Sequence, residues 1–220
     1  GNLRWLTGAA ILRVAPWWLA FLVLTIAGER LELNRVLRPT QRVRSAFVVS
    51  VAGIIAGVAV AVQWPEMGLR LVGAGLITLA IWLFVNDVAR RTVRQSGLPR
   101  FIAVCLLAGY VWMLIGSGIS TTGPVYDALL HSIFLGFVIS MVFGHAPIIF
   151  PAIVGIPVPY RPAFFLHVGL LHASVLLRIV GDLVDVLGRW RVWGGLLSAI
   201  ALSLFVVNTV RAVASHPRRI

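Results

Sequence analysis

The chain holds one cysteine, Cys105, no lysine, and only seven acidic residues among 220. A single cysteine excludes an intrachain disulfide and a cysteine-based zinc site. Scarce charge excludes an ordinary soluble domain. Charged residues make up 12% of the chain and hydrophobic ones 60%, against about 25% and roughly 45–50% in soluble proteins. No phosphate-binding glycine loop, nucleophile elbow or HExxH motif occurs, so nothing supports a hydrolase or an ATPase. A secretory pattern is missing too: no short apolar segment leads to a small-residue cleavage site. The chain begins with Gly1, which fits a processed protein or the C-terminal part of a longer membrane protein.

What is present is oil and arginine. Mean hydropathy is +0.97, more apolar surface than a water-soluble fold of this length can hide. A transmembrane helix needs about 20 mostly apolar residues. Seven stretches qualify, at 10–28, 46–64, 68–88, 101–119, 126–149, 163–186 and 192–212. The expected fold is an all-α polytopic transmembrane helix bundle, a single domain over 1–220.

All nineteen basic residues are arginine, and the net charge is +12. The lack of lysine reads as compositional bias rather than mechanism. Arginines cluster in alternate connections. Arg30, Arg35, Arg38, Arg42, Arg44, Arg90, Arg91, Arg94, Arg100, Arg161, Arg211, Arg218 and Arg219 fall on one side. Arg4, Arg13, Arg70, Arg189 and Arg191 fall on the other, with Arg178 inside a span. The positive-inside rule then places the N-terminus outside and the C-terminus in the cytoplasm. Trp17, Trp18, Trp64, Trp190 and Trp193 lie near the outer boundary, as an aromatic belt would. Because the arginines flank apolar spans, their expected partner is the anionic headgroups of the cytoplasmic leaflet, not nucleic acid. The expected location is a bacterial cytoplasmic (inner) membrane.

Gly53 and Gly57 form a GxxxG motif in the second span, favoured as a helix contact within one bundle. Pro147, Pro151, Pro157, Pro159 and Pro162 crowd the fifth connection. Proline fixes its own φ and restricts its predecessor, so a stiff, extended connection is expected there.

Ionisable groups inside a bilayer are costly and usually have a role. In the fifth span, at 100° per residue, His131 and His145 lie about 40° apart around the helix and about 21 Å apart along it. Asp127 shares their side. One helix thus offers an imidazole near each membrane face, a spacing suited to two stacked haem or metal centres, one per leaflet. The alternative is hydrogen bonding to a neighbouring helix. In the sixth span, Ser174, Arg178, Asp182 and Asp185 fall within about 60° of His167, forming one polar seam. Arg178 and Asp182, at i,i+4, can pair, which reduces the cost of burying either. His172 lies about 140° from His167, so an unbroken helix does not aim both at one metal. His145 with His167 or His172 is the best local ligand pair, since imidazole suits haem iron, copper or zinc. Glu29 and Glu32, at i,i+3, share a face at the membrane interface. They can bind arginines of a neighbouring loop, hold a metal or admit protons. Asn86, Asp87 and Arg90 read the same way.

At His131-Ser-Ile-Phe-Leu-Gly136 and Gly144-His145 the chain resembles the NnrS family, bacterial multi-span membrane proteins linked to nitric oxide stress and holding haem and copper. Its members usually follow the Gly-His step with polar residues, where this chain has Ala146-Pro147. The resemblance implies haem-linked histidines at His131 and His145. It leads to the expectation of a membrane protein of respiratory or nitrogen-oxide metabolism, binding haem b or copper. Two other readings stand beside it. One is a proton-coupled transporter whose path is the sixth-span seam. The other is a non-catalytic scaffold subunit of a membrane complex.

Overall fold

The computed structural model describes residues 1–34, 39–122, 126–184 and 188–215. Arg35, Arg38, Asp185, Arg218 and Arg219, singled out above, lie outside them. Every regular element among the described residues is helical. Seven helices are long and apolar enough to cross a membrane, so the protein is a multi-pass membrane protein of the all-α class. Large apolar side chains face outward along the spans, among them Val49, 69% exposed, and Ile153, 76% exposed. Water would penalise such a surface; lipid does not.

The chain divides into two compact units. The first holds residues 1–88 and 110–134. It contains α1 (Asn2–Leu6), α2 (Ile11–Leu33), α3 (Gln41–Val60) and α4 (Pro65–Asn86), the second half of α6 (Leu98–Thr122), and α7 (Tyr126–His131). The second holds 89–109 and 135–220. It contains α5 (Ala89–Thr92), the first half of α6, α8 (Ser140–Val154), α9 (Phe164–Leu183) and α10 (Gly188–Ala214).

The helices overrun several expected ends. α2 continues to Leu33 rather than 28, and α3 starts at Gln41 rather than 46. Glu, Arg and Gln are good helix formers, and a helix satisfies its own backbone beyond the oily stretch.

Glycines set the α3–α4 contact. A Cβ on Gly68 would stand 2.2 Å from the backbone nitrogen of Ala61, and one on Gly57 would stand 2.6 Å from that of Val72. Gly53 faces the Cα of Gly75 at 3.7 Å from its own added Cβ. The GxxxG motif therefore packs inside the bundle, as favoured. Close approach also lets Trp82 Nε1 donate to the Val43 carbonyl at 2.7 Å.

Two expectations about the fifth span need correction. Pro147 and Pro151 lie inside α8 rather than in an extended connection; α8 ends at Val154, with Gly155 in the left-handed conformation at φ 71°. A membrane helix tolerates proline because neighbours and local adjustment satisfy the freed carbonyl. Second, the span is not one α-helix. Ser132–Ile139, eight residues, form a π-helix between α7 and α8. Its wider turns break the 100°-per-residue phase on which the 40° offset of His131 and His145 depends.

Candidate functional site

His131 closes α7 and is half-buried. Its Nδ1 lies 2.8 Å from the Asp127 carbonyl oxygen and 3.4 Å from Asp127 Oδ1. His145, in α8, repeats the device: its Nδ1 lies 2.7 Å from the Met141 carbonyl oxygen. A carbonyl only accepts, so in both rings Nδ1 carries the proton of this hydrogen bond. That tautomer, fixed through Nδ1, is the one a metal-ligating imidazole commonly adopts. The two histidines stand in different units, His131 in the first and His145 in the second.

His167 is 1% exposed on α9. Four phenylalanine rings surround it: Phe143, Phe205, Phe164 and Phe101, with centroids 4.8, 5.4, 5.6 and 6.2 Å from its own. Asn208 of α10 places Nδ2 3.3 Å from His167 Nδ1 and 3.3 Å from the Ala163 carbonyl. An amide nitrogen only donates, so Nδ1 of His167 accepts and Nε2 carries the proton. That Nε2 has no hydrogen-bond partner among the described residues. His167 is thus set in the tautomer opposite to that of His131 and His145. His172, five positions on, is half-buried.

The polar seam of α9 faces α10. Three contacts join the antiparallel pair in order: His167 with Asn208, Ser174 with Ser198 at 2.9 Å, and Asp182 with Arg191 at 2.7 Å. Asp182, its side chain 3% exposed, thus meets Arg191 of the next helix across the α9–α10 seam. Small residues make the approach possible. A Cβ on Gly194 would meet the Ser174 carbonyl at 2.9 Å and the Arg178 nitrogen at 3.0 Å, and one on Gly181 would meet the Arg191 nitrogen at 2.9 Å. Asp185 lies outside the described residues.

Glu29 and Glu32 are both exposed at the end of α2. Their neighbours turn inward instead: Arg30 is 7% exposed and Asn34 2%. In the same unit Asp87 is 4% exposed and accepts a 2.6 Å hydrogen bond from the Tyr110 hydroxyl. Arg30 lies within electrostatic reach of that hydroxyl. Sequence reasoning passed over Tyr110 and Asn208. A lone amide in the apolar run of α10 was a legible signal; a tyrosine in α6 was not. Among the described residues, no group of three or more histidine, cysteine, aspartate or glutamate side chains could hold a metal ion.

The family described as a domain of unknown function, DUF8744, matches residues 1–214. The chain belongs to this family. His131, His145, His167 and His172 all fall within the DUF8744 domain. No curated protein and no solved structure matches the chain.

Proposed function

We propose that this protein is a haem- or copper-binding membrane protein of respiratory or nitrogen-oxide metabolism, working in a bacterial cytoplasmic membrane, with His131 and His145 as imidazole ligands. One observation carries the reading: both rings are tied through Nδ1–H to the carbonyl four residues back. A ring held through Nδ1–H suits ligation through Nε2, the arrangement that metal-bound imidazoles commonly show. Asp127 Oδ1, 3.4 Å from the same Nδ1 of His131, is a carboxylate of the kind that orients a ligating imidazole. An ionisable ring within a span is costly to keep without a use. The motifs around both histidines also resemble those of the haem- and copper-holding NnrS family. When bound, such a centre supplies one-electron chemistry. The arginine-rich connections hold the protein against anionic headgroups.

The absorption spectrum of purified protein, taken with metal analysis, tests the proposal. A Soret band or stoichiometric copper is expected, reduced in His131→Ala and in His145→Ala. A fully loaded preparation lacking both signals overturns it. A second reading, a non-catalytic scaffold subunit, draws on the α9–α10 contacts, which use the seam's polar groups for helix pairing rather than for a solute path. Isolation as a stable, colourless member of a larger complex supports that reading.

A further inference from the structure

The four-residue turn between α3 and α4 lies where two spans leave the membrane together. Beside it is a recess of about 570 Å³ lined by Gln63, Trp64, Pro65, Glu66, Met67 and Arg70. All six are exposed. Glu66 and Arg70 stand at i,i+4, a spacing at which opposite charges commonly pair. Here neither takes part in an ion pair with another described residue. The wall thus offers one cationic and one anionic group, held apart, with the Trp64 indole 65% exposed beside them.

We propose that this recess binds the headgroup of a zwitterionic phospholipid with a primary ammonium, of the ethanolamine type. The Arg70 guanidinium takes the phosphate oxygens through paired N–H donors. The Glu66 carboxylate accepts hydrogen bonds from the ammonium, which a quaternary ammonium cannot donate. Side chains at i,i+4 stand about 5–6 Å apart at Cβ, a span of the same order as the two-carbon link between phosphate and ammonium. Trp64 rests at the level of the glycerol backbone, as interfacial tryptophans do, and Met67, 59% exposed, meets the upper acyl chain. The partner is thus chosen by both signs of charge, unlike the purely cationic arginine connections.

The experiment is native mass spectrometry of the full chain, released from nanodiscs holding equal ethanolamine, choline and glycerol phospholipids. Wild type is expected to retain the ethanolamine lipid at least threefold over the choline lipid. Arg70→Gln should abolish retention. Glu66→Gln should lose the ethanolamine preference and turn it toward the anionic glycerol lipid. Both positions are exposed, and unchanged thermal unfolding of each variant confirms that it folds. Equal retention of all three headgroups by wild type, or identical lipid profiles in wild type and both variants, overturns the assignment.

Discussion

At the scale of the residue, the deciding contacts are single polar pairs in an apolar setting. Asn208 hydrogen-bonds His167 inside a box of phenylalanines. Removing the donor leaves a buried ring nitrogen unsatisfied, at a cost of about 1–3 kcal/mol. Asn208→Leu should therefore lower stability by that amount in reversible unfolding from mixed micelles. In a His167→Phe background the same change should cost less, because the ring nitrogen is gone and only the contact with the Ala163 carbonyl is lost. An equal loss in both backgrounds means that the pair contributes nothing. Glu29 and Glu32 contrast with it: both are exposed at the end of α2, so Glu29→Gln should change stability by no more than about 0.5 kcal/mol.

At the scale of the element, backbone proximity governs. Gly68 has no room for a methyl group, the nearest obstacle being the Ala61 backbone 2.2 Å from an added Cβ, while Gly28 has open space. Gly68→Ala should part α3 from α4 and cost about 1–3 kcal/mol. Gly28→Ala should be neutral, or stabilise by up to about 1 kcal/mol through helix propensity. Thermal unfolding of the two variants side by side checks the ordering. The spans themselves were legible because length and hydropathy suffice to define them. The inward face of α9 was legible as well, since an α-helical period gathered His167, Ser174 and Asp182 on one stripe. The identity of their partners was not: it depends on the register of α10, set by Gly181 and Gly194, and periodicity within one helix carries no register between two. Nor did the sequence period reveal the π-helix at Ser132–Ile139, whose turn geometry is not encoded in any polar pattern. Tyr110 of α6 and Asp87, the residue just past the end of α4, lie 23 residues apart, and their pairing likewise depends on tertiary placement.

At the scale of the whole molecule, the claim on which everything else rests is that these helices cross a lipid bilayer. The orientation expected from the positive-inside rule puts the α4–α6 connection in the cytoplasm and the α3–α4 turn outside, and cysteine labelling tests it as well. Cys105 is buried, so wild-type protein should not react with a membrane-impermeant thiol reagent. This makes introduced cysteines clean reporters. Gln63→Cys precedes α4 in the chain and Gln95→Cys follows it, both in positions the structure leaves exposed. In intact cells Gln63→Cys should label and Gln95→Cys should label only after permeabilisation. Labelling of both variants in intact cells, or of neither until the membrane is opened, would contradict the crossing of α4 and with it the membrane account of the fold.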